Sequence, residues 1–359
     1  MNRKILEMAL LLRGLSFDGE KGDIVVFKAP LDRADLICRA DELAEKFKPD
    51  MRSVIVEDIG GFLLGEDYDA AANGAENPEK VTGRAGVVNN KVCVVTGGAQ
   101  GFGESIVREL IAAGAIVFIA DMNVAGAKKL AAELNSVAEK TVAFGAAVNV
   151  TDEASVKAMV DEVVLTAGGI DLFISNAGVL KAGSVKEMSL KDFKFVADVN
   201  YTGFFLCTKY AAPVMAAMNA ASGKYYTDII TVSSKSALAG SNKNGAYAGS
   251  KFGTIGLVQS FAKELVNDNI KVNAVCPGNF FDGPLWSDPE RGLFVQYLNA
   301  GKVPGATTVA DIKRFYEAQV PMNRGCDGSD VTKAILYAVE QKYETGQAIP
   351  VTGGQVMLN

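Results

Sequence analysis

The chain has 359 residues, with 36 Lys and Arg against 42 Asp and Glu, a net charge of −6, 49 % hydrophobic residues and 22 % charged ones. That apolar share can build the core of one large or two unequal domains, and the mild acidity, with no basic stripe, argues against a nucleic-acid partner. Histidine is absent, which excludes a Ser-His-Asp triad, a His-ligated metal and an imidazole proton shuttle. Any general acid or base must be Tyr, Lys, Cys or a carboxylate.

In chain order, residues 1–13 hold an apolar run broken by Glu7 and closed by Arg13, with no small-residue cleavage site behind it. This predicts a short amphipathic helix and not a leader. Residues 24–28 and 53–57 predict strands and residues 32–47 a helix, so that 1–66 forms a small α/β segment. Residues 67–89, rich in Ala, Gly, Asn and Glu, predict a helical stub and a linker.

From residue 90 onward strands and helices alternate. Strands are predicted at 91–96, 116–120, 141–146, 170–175, 228–232 and 270–275, and helices at 103–113, 125–134 and 153–165. The run KVCVVT at 91–96 is continuously apolar, as a strand buried on both faces requires. The pattern predicts an α/β fold: a doubly wound parallel sheet of Rossmann type with a small additional N-terminal α/β segment. Ligands of such sheets bind beyond the carboxyl ends of the strands. The most apolar stretch, 110–120, is too short to span a bilayer. The five cysteines are scattered and form no CxxC pair, so reduced thiols and no structural metal are expected. Together these features predict a cytoplasmic protein with no membrane partner.

The first core strand runs into Thr96-Gly97-Gly98-Ala99-Gln100-Gly101-Phe102-Gly103. Glycines permit positive φ and close backbone approach, and the following helix aims its free N–H groups at a pyrophosphate. Asp121 closes the next strand, where a carboxylate accepts hydrogen bonds from ribose hydroxyls. It would repel a 2′-phosphate, and Met122 and Asn123 offer no cation to hold one, so NAD is expected over NADP. Asp121 could also cap the following helix, which is compatible with that role. Tyr247 and Lys251 stand at i and i+4 on a predicted helix and share one face. An ammonium there favours the phenolate of a group whose unperturbed pKa is about 10.

The turn TGxxxGxG, the run Asn176-Ala177-Gly178 after strand 170–175, Asn200 in DVNYTG, the serine pair ending ITVSS and Y-A-G-S-K together resemble the short-chain dehydrogenase/reductase family, over roughly 90–359. The resemblance implies that Asn200, Ser234, Tyr247 and Lys251 are catalytic, with Tyr247 the base and Asn200 holding a relay water. The choice of Ser234 over Ser233 rests on the family's spacing to the tyrosine. It implies that NAD is held by Gly97, Gln100, Gly101, Phe102, Gly103, Asp121, Met122, Asn149, Val150, Asn176, Ala177 and Gly178. Tyr247, Lys251, Pro277, Gly278 and Asn279 complete that set. After Gly278 the chain departs from the family, which often carries a Thr where Asn279-Phe280-Phe281-Asp282-Gly283 stands here.

Residues 280–325 fall where the family carries a substrate lid, and they hold Trp286, Arg291, Tyr297, Lys302, Lys313, Arg314 and Arg324. Basic residues there suit an anionic substrate, or form a solvated helix face. The segments VSSKSALAGSNKNGAYAGSK, VPMNRGCDGSDV and TGQAIPVTGGQVML are similar to the family branch that oxidises sorbitol 6-phosphate to fructose 6-phosphate with NAD. That likeness implies a polyol phosphate substrate, met by Lys235, Lys243 and Trp286, and a homo-oligomer, tetramer or dimer. The stretch SVIVEDIGGFLLG resembles the tail of class II sugar-phosphate aldolases. Those enzymes need metal-binding histidines, so 1–66 would be a non-catalytic remnant serving docking, oligomerisation or lid support. An unphosphorylated polyol substrate remains open, as does a catalytically silent NAD sensor, against which the intact Asn200, Ser234, Tyr247 and Lys251 argue.

Overall fold

Strands that are apolar on both faces must be covered from both sides, and the chain supplies helices for each. The computed structural model describes residues 3–78, 81, 83–290, 292–299, 301 and 303–357. The first part comprises α1 (Arg3–Leu15), β1 (Ile24–Lys28), β2 (Leu36–Cys38), α2 (Leu43–Lys46), β3 (Ser53–Val56), β4 (Gly60–Gly65) and α3 (Tyr68–Asn73). The second continues with β5 (Val92–Thr96), α4 (Gly101–Ala112), β6 (Ile116–Asp121), α5 (Val124–Ala138), β7 (Ala143–Ala147), α6 (Glu153–Ala167) and β8 (Leu172–Ser175). Then come α7 (Leu190–Ala197), α8 (Gly203–Ser222), β9 (Thr227–Val232), α9 (Gly245–Leu265) and β10 (Ile270–Pro277). The chain closes with α10 (Pro284–Ser287), α11 (Leu293–Asn299), α12 (Val309–Ala318), α13 (Gly328–Glu340) and β11 (Ala348–Val351).

The larger sheet has the order β11-β10-β9-β8-β5-β6-β7, and every pairing in it is parallel. This is the expected doubly wound α/β architecture. Along β5 the side chains alternate between two cores: Val92 and Val94 face the layer of α6, α8 and α9, while Cys93 and Val95 face that of α4, α5 and α13. The sheet order reverses between β5 and β8, and a crevice opens there at the carboxyl ends of both strands. Among the described residues no helix is long and apolar enough to cross a membrane.

The N-terminal part forms a second sheet, β1-β4-β3-β2. Here the sequence reading needs correction. The helix expected over 32–47 is present only as the single turn α2, preceded by β2. Leu36, Ile37 and Cys38 are half-buried, exposed and buried in turn, and pairing with β3 overrides local helical preference. Strand β4 was not foreseen, because GGFLLG lacks β-branched residues. It pairs antiparallel with both β1 and β3.

At the foot of the large sheet, buried Lys271 of β10 donates to the carbonyls of Ala338 (2.5 Å) and Gln341 (2.8 Å) at the end of α13. It also lies 3.0 Å from Asp228 Oδ1 on β9. Burial pushes the Asp228 carboxyl up to about 6, with the lysine opposing it. Lys271→Met strands that carboxylate and should cost about 3–5 kcal/mol, read as a fall in the urea midpoint. The loss should be larger at pH 8 than at pH 5.5, where protonation neutralises the buried acid.

Candidate active site

The turn after β5 is built for close backbone approach. Gly97 and Gly101 hold φ of 63° and 61°, the left-handed region that glycine enters freely. A Cβ on Gly103 would stand 2.0 Å from the Gly97 carbonyl oxygen and 2.7 Å from Asn176 Nδ2. Gln100 precedes α4 without a side-chain cap, so the first-turn N–H groups are left for a ligand. Asp121, at the end of β6, accepts the Ala99 N–H (3.0 Å) on one carboxylate oxygen and the Asn123 N–H (2.8 Å) on the other. The cap of α5 is Asn123, whose Oδ1 accepts the Gly126 N–H at 3.0 Å, which settles the alternative left open for Asp121. Met122 is exposed.

Across the crevice, the Thr96 hydroxyl accepts the N–H groups of Asn176 (3.0 Å) and Ala177 (3.1 Å). Asn176 Nδ2 donates back to the carbonyls of Thr96 (3.0 Å) and Gly97 (3.2 Å). Thr96 was missed as a site residue; its signal was its place at the head of the glycine turn. Beyond β7, Asn149 Oδ1 accepts the Thr151 N–H (3.1 Å) and hydroxyl (2.8 Å). Val150 is buried against Gly203, where a Cβ would come within 2.9 Å of it.

Asn200 sits in the wide turn Asp198–Thr202 between α7 and α8. Its Oδ1 accepts the Val179 N–H (2.8 Å), and its Nδ2 donates to the Val179 carbonyl (2.9 Å) and to Ser250 Oγ (3.1 Å). The amide therefore fixes the segment after β8, and a relay water would find only the second Oδ1 lone pair. Ser250, also missed, donates to the Tyr247 carbonyl at 2.7 Å; it lies directly before Lys251 in the signature.

Tyr247 and Lys251 share one face of α9, with the ammonium 5.8 Å from the phenol ring centroid. Lys251 is buried and donates to the Val232 carbonyl at 2.9 Å; burial pulls its pKa down to about 8. Burial raises the Tyr247 phenol, and a hydrogen bond with Ser234 opposes that rise. Ser233 turns the other way, its hydroxyl 3.1 Å from Thr254 Oγ1. Ser234, and not Ser233, thus lies beside Tyr247. The Cys276 thiol takes the Ser234 N–H and lies beside Lys251, with burial pushing it up to about 11. A Cβ on Gly178 would stand 3.4 Å from Asn200 Oδ1 and 3.6 Å from Lys251 Nζ. Asn200, Ser234, Tyr247, Lys251 and the Asn176–Gly178 turn thus form one cluster.

The end of β10 is clasped from two sides. The Gly278 N–H donates to the Val351 carbonyl (2.8 Å), and the Asn279 carbonyl accepts the Cys326 N–H (2.8 Å). Phe280 stacks on Phe102 with ring centroids 4.3 Å apart. Trp286 is the hub of the lid's own core, 4.9 Å from Phe281, 5.2 Å from Phe294 and 5.2 Å from Tyr316. The expectation that the lid's basic residues meet an anion is corrected. Lys313 pairs with Asp282 (2.6 Å), Arg314 with Asp311 (2.5 Å) and Arg324 with Asp330 (2.5 Å), while Arg291 and Lys302 lie outside the described residues. Lys235, directly after Ser234, is half-buried, and its pKa is lowered by desolvation with no acidic partner among the described residues. Lys243 is exposed with φ of 57°. Its carbonyl accepts the Gly183 N–H at 2.8 Å, joining its loop to the segment after β8.

Comparison with known proteins agrees with this geometry. A family model described as short chain dehydrogenase matches residues 91–286. A sorbitol-6-phosphate 2-dehydrogenase of Escherichia coli is 35 % identical over 274 residues, covering 75 % of this chain and 99 % of the relative. A 3-oxoacyl-[acyl-carrier-protein] reductase of Thermotoga maritima is 30 % identical, covering 75 % of this chain and 99 % of its own. The crystal structure of a sorbitol-6-phosphate 2-dehydrogenase from Erwinia amylovora superposes with a TM-score of 0.68 at 36 % identity, covering 74 % of this chain and 100 % of that one. With a parallel seven-stranded sheet, a glycine turn at its reversal point and a Tyr-Lys pair beside it, the chain belongs to the short-chain dehydrogenase family of oxidoreductases.

Proposed function

We propose that the protein is an NAD-dependent dehydrogenase that interconverts a sugar-alcohol phosphate and a ketose phosphate, with sorbitol 6-phosphate and fructose 6-phosphate as the pair. The observation that carries the phosphate is Lys235. A half-buried ammonium with no acidic partner among the described residues, next to the serine of the reacting cluster, is a site for an anionic group. The names of the relatives from Escherichia coli and Erwinia amylovora point the same way.

A dinucleotide fits the turn from Gly97 to Gly103, which tolerates no side chain at Gly103 and faces the uncapped start of α4. Gln100, Gly101 and Phe102 line the same turn, and Asn149, Val150 and Asn176 to Gly178 hold its far side. Pro277, Gly278 and Asn279 close the near end. Asp121 accepts ribose hydroxyls, and its charge disfavours a 2′-phosphate. When bound, the dinucleotide supplies the hydride acceptor and a positively charged ring.

The chain's own groups handle the proton. Burial keeps the Tyr247 phenol protonated in the free protein, so it becomes a base only with added positive charge beside it. Lys251 contributes such charge below pH about 8. Tyr247 then takes the carbinol proton at its phenolic oxygen, while the Ser234 hydroxyl donates to the substrate oxygen and steadies the charge developing there. Lys235 anchors the phosphate and thereby fixes which carbinol meets Tyr247.

The direct test compares kcat/KM for sorbitol 6-phosphate and sorbitol with NAD. A large advantage for the phosphate is expected; equal values would overturn the phosphate assignment, and silence on all polyols with NAD still bound would favour a sensor. Tyr247→Phe should lower turnover by about 10²–10⁴-fold while dinucleotide affinity, followed by calorimetry, stays within about threefold. Lys235→Met should raise KM for the phosphorylated substrate by roughly 10–100-fold, as loss of a charge-assisted hydrogen bond predicts, and leave kcat/KM for sorbitol unchanged. Asp121→Ala should narrow the NAD over NADP preference by about tenfold or more; an unchanged ratio would show that this carboxylate does not read the ribose.

A further inference from the structure

We infer that residues 3–73 are a clamp that completes the foot of the dehydrogenase sheet and unfolds with it as one cooperative unit, held by a buried pair between Arg13 and Asp171. The match to the family leaves this piece outside it. The Escherichia coli relative is matched over 99 % of its length by 75 % of this chain, and the family model starts at residue 91.

Asp171 stands one residue before β8, at the end of the sheet opposite the reacting cluster. Its carboxylate accepts the Val92 N–H of β5 at 2.6 Å and the Tyr225 hydroxyl before β9. Its backbone accepts the Asp228 N–H at 3.0 Å and donates to the Val92 carbonyl at 2.9 Å. One residue thus ties the feet of β5, β8 and β9. The cation that neutralises it comes from α1: Arg13 is fully buried, and its NH2 lies 2.5 Å from Asp171 Oδ2. The other terminal nitrogen donates to the carbonyls of Asp23 (2.7 Å) and Ala167 (3.2 Å). A carboxylate buried this way without its cation is a severe liability.

The steric match is equally specific. A Cβ on Gly14 would stand 2.5 Å from Ala221 Cβ on α8. A Cβ on Gly169 would strike Met218 Sδ at 2.2 Å and Arg13 Cδ at 2.9 Å. Gly168, with φ of 84°, faces Val25 of β1. Tyr225 stacks on Phe17 at 4.5 Å and accepts the Gly22 N–H at 3.1 Å. Val164 of α6, Met218 and Tyr225 share a single core with α1 and the small sheet. At the far edge of the large sheet, Tyr68 of α3 packs on Phe144 of β7 (4.9 Å), and Asp69 accepts the Thr141 N–H (2.9 Å). Glycines in both partners and a charge pair split between them mark surfaces fitted to each other.

The test uses the full-length protein with a specific protease site placed in the exposed stretch Gly74, Ala75, Glu76. After cleavage of the folded protein, the two fragments should co-elute, keep dinucleotide binding and separate only in urea at the midpoint where the dehydrogenase unfolds. Release of the smaller fragment under native conditions, with binding and stability of the larger one intact, would overturn the inference. A second measurement uses Trp286, the only tryptophan, as a reporter in the distant lid. Arg13→Met should lower the melting midpoint seen at Trp286 by roughly 5–10 °C. Arg13→Met combined with Asp171→Asn should recover part of that drop. An unmoved Trp286 transition alongside lost amide protection in β1 and β4 would show an independent module.

Discussion

Four hydrogen bonds between Thr96 and Gly97 on one side and Asn176 and Ala177 on the other hold the crevice in shape. They form where the sheet order reverses, the one place in a doubly wound fold where neighbouring connections leave in opposite directions and leave room for a ligand. The Thr96 hydroxyl takes two N–H groups there, and the Asn176 amide gives two hydrogens back. The glycine turn is thereby locked to the segment that ends at Gly178, and Gly178 in turn lies against Asn200 and Lys251. The glycine turn and the cluster of Asn200 and Lys251 are thus bridged by the three residues Asn176, Ala177 and Gly178.

The electrostatics of that assembly bear on the proposed proton transfer in a protein without histidine. Desolvation raises Tyr247 and lowers Lys251 to about 8, so near neutral pH the phenol is protonated while the lysine still carries most of its charge. Added positive charge shifts the balance toward the phenolate, and the Ser234 hydrogen bond pulls the same way. Cys276, beside Lys251, could have competed as a base, but burial holds its thiol near 11 and it stays a neutral packing group. In the proposed reaction the choice of tyrosine as base is therefore a property of the surroundings as much as of the side chain.

Much of this was legible in the sequence because it depends on short-range pattern. Continuous apolar runs such as 91–96 gave buried strands, glycine spacing gave the turn, and the i, i+4 relation of Tyr247 and Lys251 survived folding unchanged. What stayed hidden depends on which partners the side chains meet once the chain is folded. Lys313, Arg314 and Arg324 read as an anion site until their acidic neighbours Asp282, Asp311 and Asp330 were seen. Lys235 differs from them only in lacking such a neighbour among the described residues, which no local pattern announces. Residues 32–47 read as helical from their local pattern, which the pairing of β2 with β3 outweighs, and the hydroxyls of Thr96 and Ser250 carry no periodicity at all.

The lid shows how a long connection can be ordered without belonging to either main core. Phe281, Phe294, Val303, Ile312 and Val320 form a cluster of their own with Trp286 at its centre, so α10 to α12 have a reason to hold together as a body. That body meets the rest of the protein at several points, among them Val320, 2.9 Å from where a Gly353 Cβ would be. Phe280 stacks on Phe102 inside the dinucleotide turn, Pro284 lies 3.8 Å from where a Gly101 Cβ would be, and Asn279 is tied to Cys326 at the lid's far end. Two of these attachments fall on the glycine turn after β5. A change at Gly101 or Phe102 therefore bears directly on the lid, since Pro284 and Phe280 rest against those two residues.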